Sequence, residues 1–175
     1  LERLMTFGVD ITTMTSRGFI AGLIAQRLAP VLCPHCKVDY DPHMHIPISG
    51  IHERIKAVTT EGDTLFVAGA GCDRCDHTGV SGQTVLAEMV IMDGKLLELL
   101  RASDFNGAYE YWRSFRQPTI ADINGSMVGM TMLEHGILKM RQGLLAPDEL
   151  ELRVGPLTHS TEVNEAIVGN EVHDL

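Results

Sequence analysis

All four cysteines of this chain fall in two matched pairs, Cys33-Pro34-His35-Cys36 and Cys72-Asp73-Arg74-Cys75. A Cys-x-x-Cys turn places two sulfurs on one side of a tight loop. Two such knuckles brought face to face supply four thiolates at tetrahedral positions, as structural zinc requires. The stretch between them, Lys37 to Gly71, is longer than the usual zinc-ribbon spacing. It must therefore fold as an insert whose ends meet at the metal. A divalent cation also keeps neighbouring thiolates ionised and close together. Cys33, Cys36, Cys72 and Cys75 are the candidate ligands. Three other readings compete: two disulfides, a redox pair, or cysteines with no linked role. Disulfides suit a secreted chain, and no secretion signal is visible in this sequence. A thioredoxin-type site needs one active pair rather than two. Iron in place of zinc stays open, because four thiolates accept either. His35, His77, His43 and His45 lie near the knuckles in sequence. Each is a candidate substitute ligand; the simpler reading places them at the surface or beside the site.

The remaining composition narrows the class. At 175 residues, 45% hydrophobic and 21% charged, the chain suits one globular domain or two small ones. No apolar run reaches the roughly 20 residues of a membrane-spanning helix. The best stretch, Gly18 to Leu32, is interrupted by Gln26 and Arg27. Acidic residues outnumber basic ones 23 to 14, a net charge of -9. Such a chain repels phosphate backbones, so no nucleic-acid partner is expected. Aromatic residues are only 5%, which leaves few platforms for base stacking. Asp148, Glu149, Glu151, Glu162, Glu165, Glu171 and Asp174 face only Arg153 near the C-terminus, which reads as a solvated tail. Leu1 to Val9 reads as the middle of a domain, so a fragment of a longer protein is expected.

The periodicity predicts a helix capped by Ser16 that carries Phe19, Ile20, Leu23, Ile24 and Leu28 and stops at Pro30. Ser49 is placed as the cap of a helix with Ile51, Ile55 and Val58 on its apolar face. Leu65 to Ala68 is short and β-like, and Thr84 to Ile91 reads as a buried strand, with a helix the alternative that periodicity alone leaves open. Helices are then expected after Asp93, after Ser103, over Ser126 to Gln142, and from Pro147. The nine methionines read as gap-filling core.

Several segments are less generic. Ala25-Gln26-Arg27-Leu28 followed by Leu32-Cys33-Pro34-His35-Cys36-Lys37 resembles the "QRL…LCPxCK" stretch of the type II secretion and type IV pilus assembly ATPases. Leu4 to Val9, with Gly8, resembles the end of the preceding helix. Gly71-Cys72-Asp73-Arg74-Cys75 with Thr78-Gly79 resembles the second knuckle, "GCxxCxxTG". Glu88 falls at a family glutamate in the following strand. Met140-Arg141-Gln142-Gly143 and Pro147-Asp148-Glu149-Leu150 resemble the closing helix and its acidic last turn. The resemblance runs from Leu1 to Leu157. Val80 stands where an aromatic is usual, and Gln83 where the family has arginine. The segment Gln117 to Met132 is longer than the family norm, and the tail after Leu157 has no counterpart.

The resemblance implies an α/β fragment: a partial RecA-like core remnant, an inserted zinc-knuckle domain and a mostly helical C-terminal subdomain. The expected divisions are 1–30 for the end of the ATPase core, 31–84 for the tetracysteine domain, 85–157 for a core strand with the helical subdomain, and 158–175 for the acidic tail. It implies a hexameric motor, cytoplasmic and peripheral to the bacterial inner membrane, that uses ATP and Mg²⁺ and works on a membrane platform protein. This chain would contribute Zn²⁺ binding and subunit or platform contacts. ATP chemistry needs a Gly-rich phosphate loop ending in Lys and Ser or Thr. No such loop occurs here, so no catalytic residue is assigned and the chain alone is expected to be inactive. Arg27 is the candidate to face a nucleotide or a neighbouring subunit; the alternative is that it caps its own helix. An independent zinc-binding interaction module, and a zinc-ribbon nucleic-acid binder disfavoured by the charge, are the competing functions.

Overall fold

The apolar residues from Leu23 to Leu32 build a strand, not the expected helix, and Phe19 and Ile20 lie just before it. β1 spans Gly22–Leu32 and pairs with β4, Val80–Ile91, in a two-stranded sheet. Helical spacing was misleading here because apolar residues in a short run suit either element, and pairing with β4 decides it; Pro30, expected to stop the helix, lies within the strand. Gly18, at φ +83, turns the chain just before the strand. β4 is mostly half-buried or exposed, with Leu86 its one fully buried residue.

The computed structural model describes residues 2–116 and 127–158. The chain divides into two compact units, Leu1–Ala25 with Ala87–Met130 and Gln26–Leu86 with Thr131–Leu175.

The first unit holds α1 (Glu2–Thr6), α2 (Ile11–Met14), α4 (Gly94–Arg101) and α5 (Phe105–Arg113). Asp10 caps α2, and Arg101 donates to both Thr15 Oγ1 and Thr15 O, tying α4 to the end of that helix. Asp93 caps α4 as expected, through Leu96 N. α5 is capped by Asp104 rather than Ser103, which sits at φ +56 in the preceding turn. Leu96 and Leu100 pack on Ala108, so α4 and α5 make a helical hairpin.

The second unit holds α3 (Ile51–Val58), α6 (Met132–Arg141), α7 (Pro147–Arg153) and a small antiparallel sheet. In that sheet β2 (Val38–Asp39) pairs with β3 (Phe66–Val67), Val38 opposite Val67. α3 is entered through Gly50, not Ser49. α6 begins with a reciprocal Thr131–Glu134 cap. Its expected start, Ser126, lies outside the described residues. Pro147 opens α7 at its first turn, as expected. Ile51, Ile55 and Leu65 share one core with Ile137, Met140, Leu145, Leu150 and Leu157. The segment between the knuckles and the last two helices are thus packed as a single body. α4 and α5 belong to the other unit.

Candidate metal centre

The two knuckles are built alike. Cys33 O accepts from Cys36 N and Lys37 N, and Cys72 O accepts from Cys75 N and His77 N. Each carbonyl closes a tight turn that points its two sulfurs the same way. The second turn is a short 3₁₀ segment, Asp73–Cys75. Cys33 N donates to Gly79 O at 2.9 Å and so joins the first knuckle to the chain leaving the second. Close approach also needs Gly69. A Cβ there would fall 1.9 Å from Cys36 O, a backbone atom that cannot swing aside.

The four sulfurs all lie within 4.8 Å of one another. Cys33 Sγ is 3.9 Å from Cys72 Sγ, Cys36 Sγ is 3.7 Å from Cys75 Sγ, and Cys72 Sγ is 3.8 Å from Cys75 Sγ. A tetrahedron with zinc–sulfur arms of about 2.3 Å has edges of about 3.8 Å. These separations are far longer than the roughly 2.05 Å of a disulfide, and all four cysteines are free. Cys33 and Cys75 are buried, Cys36 and Cys72 half-buried. The donor set therefore fits a tetrahedral ion that prefers thiolate.

The electrostatics point the same way. The Cys72 backbone N–H, then the Gly79 N–H, hold the Cys75 thiol down to about 6 against the opposing effect of burial. Both N–H groups lie 3.3 Å from Cys75 Sγ. Burial and the hydrogen bonds shared with the other sulfurs push Cys36 up to about 12. Neighbouring thiols this close cannot all ionise unaided, because each new charge repels the rest. A divalent cation reverses that balance.

The histidines are not brought into the cluster. His35, His43 and His45 are exposed, and His77 points to Asp73, Nε2 to Oδ1 at 3.3 Å. Among the described residues, the four cysteines are the one group of three or more His, Cys, Asp or Glu side chains placed to share an ion. Arg27 stands on β1, so the expected cap on its own helix does not exist. Its Nη1 donates instead to Arg153 O, at the C-terminal end of α7. Sequence reasoning missed the ties that fasten the insert: Arg54 to Glu151, Arg141 to Asp63, and Lys37 to Gly143. Each joins residues far apart in the chain, and no local pattern marks them.

A model of the family described as "Type II/IV secretion system protein" matches residues 1–142. The chain belongs to that family. The Type II secretion system ATPase E of Vibrio cholerae is 26% identical over 150 residues, covering 86% of this chain and 26% of that protein. The Type IV pilus assembly ATPase PilB of Thermus thermophilus is 26% identical over 153 residues, covering 87% of this chain and 15% of that one. The Protein transport protein HofB homolog of Escherichia coli is 28% identical over 160 residues, 91% of this chain and 29% of its own length. The chain thus spans between about a seventh and a third of these relatives. Among the described residues, no helix is long and apolar enough to cross a membrane.

Proposed function

We propose that this chain is the metal-binding C-terminal part of a motor ATPase that powers type II secretion or type IV pilus assembly. Cys33, Cys36, Cys72 and Cys75 hold one structural Zn²⁺. The observation that carries the zinc reading is the set of sulfur separations, 3.7 to 3.9 Å, which match the edges of a thiolate tetrahedron around zinc. The ion would supply a cross-link between the two ends of the insert. Four thiolates leave no open coordination position, so the site holds structure and does no Lewis-acid chemistry. The chain's own residues do the rest. The Cys72 and Gly79 N–H groups stabilise the Cys75 sulfur as an anion. The Cys33 and Cys72 carbonyls fix the two turns.

Similarity to a type II secretion ATPase and a type IV pilus assembly ATPase supports the motor reading. On that reading residues 1–30 end a RecA-like core, 31–84 form the metal domain, 85–157 the strand and helices that follow, and 158–175 a tail. The motor would be a cytoplasmic hexamer at the inner membrane, acting on a platform protein. ATP and Mg²⁺ would be held by residues beyond this sequence, since no phosphate loop occurs within it. Metal analysis of the purified chain, with cobalt substitution to reveal thiolate-to-metal absorption, tests the site. One equivalent of metal with a four-thiolate spectrum is expected. A folded, metal-free chain that does not take up cobalt would end the reading.

A further inference from the structure

The first knuckle is clamped on both sides to one distant turn. Leu32, just before Cys33, donates its N–H to Leu144 O at 2.9 Å. Lys37, just after Cys36, donates its Nζ to Gly143 O at 2.8 Å. The same Lys37 N–H closes the knuckle on Cys33 O at 3.0 Å. Its ammonium also lies 3.9 Å from the centroid of the Phe66 ring. Gly143 ends α6 at φ +68, and a Cβ there would fall 2.7 Å from the Phe66 ring and 2.8 Å from Lys37 Nζ. The next residue but one, Leu145, is fully buried in the core of the unit.

We propose that Lys37 is a positioning residue that couples the metal centre to the turn between α6 and α7, so that order in the turn follows occupancy of the four-thiol site. This rests on the zinc reading above. A half-buried ammonium needs partners, and here it has a carbonyl and an aromatic face. It also sits at the carbonyl end of α6, where the helix dipole favours a cation. With the ion bound, the Cys33–Cys36 turn is rigid, Lys37 leaves it in one direction, and the Gly143 carbonyl keeps its charged donor. Without the ion, the sulfurs no longer hold the two knuckles together. The Lys37 backbone is then free to move, and the turn loses a charge-assisted hydrogen bond at the point where it enters the core.

Hydrogen exchange on the metal-loaded chain, before and after chelation, tests the coupling in wild type, Lys37→Met and Lys37→Arg. The cobalt-substituted spectrum is read first, so that metal binding is known for each protein. In wild type, chelation should raise exchange over 143–146 together with the knuckles. Lys37→Met should keep the cobalt spectrum yet exchange about tenfold faster over 143–146 while loaded, as loss of a hydrogen bond to a charged group predicts. Lys37→Arg, which keeps a cation and donors, should restore most of the protection. If chelation opens the knuckles and leaves 143–146 unchanged, the coupling is wrong and the zinc reading stands. Full protection in loaded Lys37→Met overturns it as well. If wild type takes up no metal, both fall together. Should Lys37→Met fail to fold, Lys37→Ala takes its place in the metal-loaded comparison: faster exchange over 143–146 with the cobalt spectrum kept supports the coupling, and full protection overturns it.

Discussion

Arg54 and Glu151 meet fork to fork, Nε to Oε1 and Nη2 to Oε2, both at 2.7 Å. The pair joins α3 of the insert to α7, and Glu151 Oε1 also accepts the Leu157 N–H. Burial pushes the Glu151 carboxyl up, but Arg54 and the Leu157 N–H outweigh it and hold the group below its ordinary value of 4.5. Asp63 behaves likewise: burial is outweighed by the Thr60 N–H and by Arg141, and its carboxyl is held below 3.8. A carboxylate depressed in the folded state stabilises the fold fully above its unfolded pKa and loses that contribution as pH falls through the folded value. Acid unfolding of the second unit should therefore set in as pH drops below about 4.5. Glu151→Gln should flatten the loss of stability as pH falls below about 4.5 and cost about 1–3 kcal/mol at neutral pH, between the values for exposed and buried pairs. Denaturant titrations across that pH range provide the check.

The proposed zinc should dominate the stability of the same unit. Structural zinc binding is coupled to folding and is worth roughly 10 kcal/mol or more at neutral pH. Cys75→Ser removes the sulfur that two backbone N–H groups stabilise. It should abolish the four-thiolate cobalt spectrum and weaken metal retention more than tenfold, a loss typical even of milder changes around such sites. Because the insert and α6–α7 share a core, exchange should quicken in both. The α4–α5 hairpin has its own cluster, Leu96, Leu100 and Ala108, and should stay protected.

That split was not legible in the sequence, while the site was. Two matched Cys-x-x-Cys pairs are local patterns, and the structure brings all four sulfurs together. Asp93 and Pro147 mark helix starts by side-chain chemistry acting within one turn, so both were readable. β1 was misread because apolar spacing over a short run does not separate helix from strand, and a paired β4 was needed to decide it. The partners of Lys37, Arg54 and Asp63 depend on how distant segments pack. Ile51 and Ile55 announce an apolar face, but nothing in their neighbourhood says that Met140 and Leu150 will cover it.

Gly69 offers a steric test of the knuckle contact. The nearest obstacle to a Cβ is the Cys36 carbonyl at 1.9 Å, with its carbon at 3.1 Å. Gly69→Ala must push the two knuckle segments apart, where the sulfur tetrahedron leaves little slack. Overpacking of this kind costs about 1–3 kcal/mol. The variant should bind zinc roughly tenfold or more weakly, which competition with a chromophoric chelator would measure. Unchanged affinity would mean that the strands slide without disturbing the sulfurs.

The last expectation concerns nucleotide. Phosphate cradles need a Gly-rich loop, a lysine and a following hydroxyl at the start of a helix. In this chain the Gly-Lys step is Gly94-Lys95, and Leu96 follows it where Ser or Thr is required. The same helix start is already closed. Asp93 Oδ1 accepts the Leu96 N–H at 2.8 Å, and Oδ2 accepts the Tyr111 hydroxyl at 2.7 Å. Those two bonds, the Leu96 N–H first, hold the Asp93 carboxyl below its ordinary value of 3.8. It is therefore an anion at neutral pH, placed where a phosphate would have to sit, and it repels one. The isolated chain should release no phosphate from ATP above the rate of a mock purification. It should show no nucleotide-dependent shift in melting temperature with Mg²⁺ present. Turnover that survives further purification and disappears with Lys95→Ala would place a phosphate site in these residues and refute the proposal that ATP is held elsewhere.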